Sequence, residues 1–239
     1  MKENIWIGIE ATPDQATGWR FDGVTAQQQA SAPTAAEVLQ ALGSAPALIV
    51  DDSAPSHPVP AKALPAAAPM RGLRQDRPHG YLDAAARLRI AGALAGQPNW
   101  DGTICLPLPG VTHWCQISAA EVVSFQSALT PALARGLGAT EQIDMAALAD
   151  TLSRPEKLAL HLRSATLMQA GDAVAGHLVG AELAAMRPYW LGQQVLVIGG
   201  GEIYPTALAA QGVPVTRRDP GEMAKAGLVA LRKVAAQGA

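Results

Sequence analysis

The chain of 239 residues is long enough for one large domain or two modest lobes, and either would bury a substantial core without a covalent staple. Its 18 basic and 20 acidic residues leave a net charge of -2, and the cations gather no further than Arg217-Arg218 and Arg232-Lys233, so no basic stripe exists for nucleic acid. Cys105 and Cys115 are too few for a disulfide or metal framework, Met1-Lys2-Glu3-Asn4 lacks the pattern of a leader, and no apolar run approaches the roughly 18 residues of a membrane span; a reduced, cytoplasmic chain is expected.

In chain order, Ile5-Trp6-Ile7-Gly8-Ile9 reads as a strand with Gly18-Trp19-Arg20-Phe21 as its hairpin partner. From Ser44 to Pro78, alternating Pro and Ala predict extended loop, flexible between Ala61 and Pro69, with one strand at Ala47-Leu48-Ile49-Val50. An alanine-rich helix is expected over Leu82 to Ala95, stopped by Gly96-Gln97-Pro98. Thr103 to Leu108 follows as a strand, and Pro109-Gly110 opens a turn that carries Thr112 and His113. Ala119 to Leu137, Asp144 to Leu152 and Ala173 to Trp190 read as helices. The last third alternates strand Val195 to Ile198, helix Tyr204 to Gln211, strand Val213 to Thr216 and helix Met223 to Ala236, which predicts a layered α/β domain with part of its sheet parallel.

The most informative stretch is the small-residue helix Gly176-His177-Leu178-Val179-Gly180-Ala181-Glu182, followed by the apolar run Val195 to Ile198 and the triplet Gly199-Gly200-Gly201. Such a pattern brings backbone close to a ligand in nucleotide-binding α/β domains; a glycine run after a strand also serves as a plain tight turn. His57, His161 and His177 are isolated in sequence without metal-type spacing, which assigns them surface or core roles. No Gly-x-Ser-x-Gly elbow occurs, which leaves hydrolase chemistry unsupported.

Leu178-Val179-Gly180-Ala181-Glu182, the glycine triplet, Ala207 to Gly212 and Ala224-Lys225-Ala226-Gly227-Leu228 resemble the carboxy-terminal half of the 2-keto-3-deoxygalactonate kinases (2-dehydro-3-deoxygalactonokinases), sugar-acid kinases of the actin, hexokinase and Hsp70 fold. Ile7-Gly8-Ile9-Glu10-Ala11-Thr12-Pro13-Asp14 takes the place of that family's Asp-Trp-Gly-Ser/Thr-Thr phosphate loop, with Trp19 and Gly23 at matching distances. Thr112-His113 matches the Thr-His of Pro-Gly-Thr-His-Ser-Lys-Trp, and Phe125 to Leu133 matches Phe-x-Thr-x-Met-Thr-Gly-Glu-Leu. The resemblance implies an α/β, two-lobed ATPase fold with a reduced amino-terminal lobe, divided into residues 1–118 for substrate and phosphate and 119–239 for nucleotide. It also implies ATP and Mg²⁺ as cofactors, a small sugar acid as substrate, and transfer of the γ-phosphoryl group to it.

On that resemblance, Glu10 is the catalytic and metal-linked residue, Thr112, His113 and Thr130 face the sugar acid, and Thr12 with Gly199, Gly200 and Gly201 faces the nucleotide. Each has a plainer reading as well. Glu10 could be a solvated turn carboxylate, His113 could satisfy a backbone carbonyl, the glycines could form a turn forced by packing, and Glu182 could pair with Arg187 or Arg163 instead of orienting the crevice.

Departures from the family pattern are concentrated on charge. The family's Asp becomes Glu10, its glycine Thr12 and the next residue Pro13; its Arg falls at Thr17, and its Lys at Cys115. Its Met-Arg-Gly-Glu-Glu-Thr-Gln best fits Asp83-Ala84-Ala85-Ala86-Arg87-Leu88-Arg89, and its Thr-Gly-Glu reads Thr130-Pro131-Ala132. Residues Asp51 to Pro69 are shorter than the matching substrate segment. Phosphoryl transfer rests on positioning and charge neutralisation, so these losses also admit a second expectation: a kinase homologue without catalysis that binds or senses a sugar acid. The outward faces of the helix Ala173 to Trp190 and of the final helix could support a homodimer, while nucleic acid and membrane are not expected partners.

Overall fold

The structure, a computed structural model, describes residues 4–237; the Met1-Lys2-Glu3 segment read above for a leader lies outside the described residues. The chain opens with β1 (Ile5–Ala11), β2 (Ala16–Asp22) and β3 (Thr25–Ala32), then α1 (Ala35–Leu42) and β4 (Ala47–Val50). These strands form one sheet in the order β3-β2-β1-β4, in which β4 lies parallel to β1 and the rest is antiparallel. The expected hairpin of Ile5–Ile9 with Gly18–Phe21 is therefore present. Helix α1 starts where Thr34 and Glu37 close a capping box, each side chain bonded to the other's backbone N–H. Short strands β5 (His57–Pro58), β6 (Ala61–Lys62), β7 (Leu73–Asp76) and β8 (His79–Leu82) follow, and α2 (Ala84–Ala93) is capped by Asp83.

Next come β9 (Gly102–Pro107), β10 (Thr112–Ser118), β11 (Glu121–Ala128), α3 (Thr130–Gly136), α4 (Met145–Ser153), α5 (Leu158–Leu167), α6 (Gly171–Ala185) and α7 (Arg187–Trp190). The chain ends with β12 (Val195–Ile198), α8 (Ile203–Ala209), β13 (Val215–Arg218) and α9 (Pro220–Gln237). Strand β12 pairs in parallel with both β13 and β9, as the alternation of elements predicts, while β9 and β10 form an antiparallel hairpin.

Two sequence expectations fail here for local reasons. The helix expected over Ala119 to Leu137 is a strand followed by a short helix: Ala119 and Ala120 take left-handed φ values of 48° and 60° in the hairpin turn, and Val122 and Phe125 are fully buried. β-Branched and aromatic side chains outweigh the alanines before them. Thr112 and His113 are not in a turn but begin β10, where Thr112 faces Pro107 and His113 faces Leu106.

The chain divides into two compact units, the first made of the chain up to Trp100, Ser118–Ser124 and the stretch from Asp219 onward, the second of Asp101–Ile117 and Phe125–Arg218. In the first, α1 covers one face of the sheet through Val38 and Leu42 against Ile7, Ile9 and Ala16. Helix α9 reaches Gly8, where a Cβ would lie 2.9 Å from Leu228, and it packs backbone-close on α2. A Cβ on Gly92 would stand 1.9 Å from the Met223 carbonyl, and one on Gly227 2.3 Å from that of Leu88. The second unit is built on Cys105, Trp114, Val195 and Val197 packed against Leu148, Val179, Leu183, Tyr204 and Leu208.

Candidate functional site

In the second unit β12 ends in three consecutive left-handed glycines, Gly199, Gly200 and Gly201, with φ of 80°, 71° and 60°. A left-handed residue with a side chain costs about 1–2 kcal/mol, so three in succession explain the triplet. At Gly200 sterics add to this, because a Cβ there would sit 2.6 Å from Pro107 Cγ. The turn thereby lies directly against the end of β9.

Beside that contact opens a pocket of about 430 Å³, in the range of small-molecule sites. Pro107 and Gly200 meet at one wall, Thr130 and Pro131 of α3 form another, and Leu178 and Val179 of α6 with Ile203 and Tyr204 of α8 complete it. Its lining is mostly apolar and small, which suits a flat heterocyclic ring more than a polyol. The expected small-residue face of α6 has a different use from the one its pattern suggests: Gly176 and Gly180 meet α4, where added Cβ atoms would lie 2.4 Å and 2.5 Å from the carbonyls of Asp144 and Leu148. The pocket is lined by other α6 residues, Ala175, Leu178 and Val179.

Beneath the pocket lies Glu182, 4% exposed. Trp114 Nε1–H donates to its Oε1 at 2.7 Å and Tyr204 Oη–H to its Oε2 at 2.9 Å, and the Thr130 hydroxyl is a further partner. Thr112 Oγ1 is 2.7 Å from Tyr204 Oη. No salt bridge to Arg187 or Arg163 is present among the described residues, which corrects that expectation. Burial raises the Glu182 carboxyl above its ordinary range, and the donors around it act in the opposite direction. The cluster fixes two pocket walls from behind, α3 through Thr130 and α8 through Tyr204. Sequence reading singled out Glu182 and Thr130 but missed Trp114 and Tyr204; an aromatic three residues after the glycine triplet was the available signal.

Among the other expected residues, Thr112 and His113 are buried. His113 Nδ1 is 2.8 Å from Ser127 Oγ, its ring stands edge-on to Phe125, and its Nε2 has no hydrogen-bond partner. Desolvation pushes its pKa down to about 4, so it is neutral near pH 7. His161 and His177 are not isolated, since their ring centroids are 4.7 Å apart and their Nδ1 atoms share the Thr151 hydroxyl at 2.7 Å and 2.8 Å.

In the first unit Glu10 is buried near the end of β1. Arg89 of α2 grips it with both ends of its fork, Nη2 at 2.6 Å from Oε1 and Nε at 3.1 Å from Oε2. Burial nevertheless raises the Glu10 carboxyl, and the charge of Asp83 adds to the effect. Asp83 in turn caps α2 through the Ala86 N–H at 2.6 Å, and Asp52 accepts from the Ala84 N–H at 2.9 Å. No group of three His, Cys, Asp or Glu among the described residues is placed to hold a metal, and each Glu10 oxygen already accepts from Arg89. Thr12 closes the β1–β2 turn through its N–H and hydroxyl, both bonded to the Gln15 carbonyl.

A search of curated proteins finds no match. Among solved structures, a Sinorhizobium meliloti protein whose assignment as a 2-dehydro-3-deoxygalactonokinase is itself provisional superposes with a TM-score of 0.79 at 18% identity, over 96% of this chain and 99% of that one. The activator of the 2-hydroxyisocaproyl-CoA dehydratase from Clostridium difficile, solved with bound ADPNP, gives 0.53 at 10% identity over 96% of this chain and 95% of that one. Component A of the (R)-2-hydroxyglutaryl-CoA dehydratase from Acidaminococcus fermentans gives 0.52 at 11% over 96% and 98%. These likenesses establish the actin/hexokinase/Hsp70-like ATPase fold. The family profile described as 2-keto-3-deoxy-galactonokinase matches residues 72–231, about two thirds of the sequence and the whole of the pocket, and the chain therefore belongs to that family.

Proposed function

We propose that the protein is an ATP-dependent sugar-acid kinase that phosphorylates 2-keto-3-deoxygalactonate or a close relative. The observation that carries this reading is the apolar pocket built around Gly200, Tyr204 and α6 in a chain of this family. Its lining would take the base of the nucleotide, with Leu178, Val179 and Ile203 against the ring faces and Thr130 as a polar neighbour. The glycine turn lets backbone approach where a side chain would stand off, the usual means of holding adenosine and phosphate groups. ADPNP bound to the similarly folded dehydratase activator supports nucleotide use.

Phosphoryl transfer also needs a group to take the proton of the attacking hydroxyl. Glu10 is the proposed acceptor: burial raises its proton affinity, and Arg89 fixes its orientation. Mg²⁺ when bound would neutralise phosphate charge, and no group of three His, Cys, Asp or Glu among the described residues is placed to hold it without the nucleotide. Titration calorimetry with ATP tests the pocket. Wild type is expected to bind, and Ala175→Trp, which fills the pocket from α6, is expected to lose binding while remaining folded by circular dichroism. Equal affinity in both proteins would remove the nucleotide from this pocket.

A further inference from the structure

The first unit holds a second pocket of about 310 Å³ between β6, α2 and the Pro/Ala segment that follows β6. Lys62, Arg71, Arg87 and His57 line it, and no carboxylate does. Arg87 is 4% exposed and has no ion pair among the described residues. Its Nε donates to the Ala63 carbonyl at 3.0 Å, Nη1 to Arg71 at 2.8 Å and Nη2 to Lys62 at 2.6 Å. A guanidinium has five N–H groups, so two remain uncommitted.

Burying a cation without a counter-ion is costly, and three carbonyl dipoles offset only part of that. The cost is visible in the Arg87 pKa, which desolvation lowers to about 10 with no neighbouring carboxylate opposing it. Arg71 is exposed on the same wall, and no hydrogen bond or ion pair engages its side chain among the described residues. Lys62 is already bonded to the Ala119 carbonyl at 2.8 Å and lies 3.3 Å from Glu121. The wall therefore carries two guanidinium charges without a counter-ion among the described residues, one of them rigidly positioned by backbone carbonyls.

We infer that this pocket binds the carboxylate of a small organic acid through the spare N–H groups of Arg87 and the guanidinium of Arg71. The inference rests on the proposed function for the identity of that acid, the sugar acid itself. Guanidinium forks match the two oxygens of a carboxylate, which favours Arg over Lys at such a site. The segment expected from composition to be flexible, Ala61 to Pro69, is thereby tied down, with the Lys62 and Ala63 carbonyls inside it and the Arg71 carbonyl just beyond it all held by Arg87.

The test is calorimetry of the full chain with 2-keto-3-deoxygalactonate, with galactose as the uncharged control and with inorganic phosphate, on wild type and Arg71→Gln. A parallel assay follows sugar-acid-dependent ADP release. The inference predicts binding of the acid, none of galactose, and affinity roughly 10- to 100-fold weaker in Arg71→Gln, with ATP affinity unchanged. Arg87→Lys, which keeps the charge and loses the fork, should also weaken the acid. Equal acid affinity in wild type and Arg71→Gln overturns the inference, as does Arg71-dependent binding of phosphate without binding of the acid. The two readings separate cleanly: ADP release with an unchanged KM in Arg71→Gln leaves the kinase reading and removes the pocket, while Arg71-dependent acid binding without ADP release in wild type does the reverse.

Discussion

Gly200 and Gly201 are adjacent, both left-handed, and differ in what surrounds them, which makes them a matched pair for testing the pocket geometry. A Cβ at Gly201 meets nothing within 4 Å, whereas one at Gly200 lies 2.6 Å from Pro107 Cγ and 2.7 Å from its Cβ. Gly201→Ala therefore incurs only the left-handed penalty, about 1–2 kcal/mol. Gly200→Ala adds overpacking against a proline ring fixed in β9, about 1–3 kcal/mol more. Because Pro107 is a pocket wall, Gly200→Ala should also shift that wall and weaken ATP, while Gly201→Ala should leave it in place. Amide exchange at Val197 and Ile198, which precede the turn, reads the local stability without assuming that the two units unfold together. Equal protection loss in the two variants, or a greater loss in Gly201→Ala, would refute the close approach of the turn to β9.

Other consequences follow from the buried charges. Removing Arg89 by Arg89→Ala leaves Glu10 buried and unpaired and should cost about 3–5 kcal/mol in denaturant unfolding, with much of that recovered in the double variant Arg89→Met/Glu10→Met. Glu182→Gln keeps the shape but replaces charge-assisted bonds with neutral ones, and with its oxygen on Trp114 its NH₂ forces the Tyr204 hydroxyl to accept where it donated; about 1–3 kcal/mol should be lost, and ATP affinity should fall with the loosened Tyr204 wall, measured by calorimetry. His113 titrates near 4 when folded and near its ordinary 6.5 when unfolded, so the unfolded chain binds the extra proton and its stabilising effect, complete above pH 6.5, is lost as pH falls toward 4. The unfolding free energy of wild type relative to His113→Gln should drop by about 3 kcal/mol between pH 7 and pH 4, and a flat difference would show that His113 is not buried as a neutral ring.

Much of the fold was legible because local chemistry and tertiary packing agree. The β1–β2 hairpin, the parallel β12, the glycine triplet and α9 all follow from periodicity and punctuation. Where the two diverge, sequence reading went astray. Glu121 to Ala128 sits between alanines and a helix, and its strand character is settled by the burial of Val122 and Phe125, which composition does not show. The small residues of α6 were visible, but which of its faces meets α4 and which lines a pocket depends on the fold. Family resemblance pointed to Glu10 and Glu182, yet Arg89, the partner of Glu10, lies 79 residues away along the chain, and Trp114 and Tyr204, the partners of Glu182, lie 68 and 22 residues away, beyond any local motif.

The most direct test of the account is a coupled ADP-release assay on the purified chain with ATP, Mg²⁺ and 2-keto-3-deoxygalactonate, with mass spectrometry of the sugar acid. The account predicts ADP formation that depends on the sugar acid, a product heavier by one phosphoryl group, and loss of both in Ala175→Trp. Binding of ATP and the acid without any phosphorylated product would contradict it.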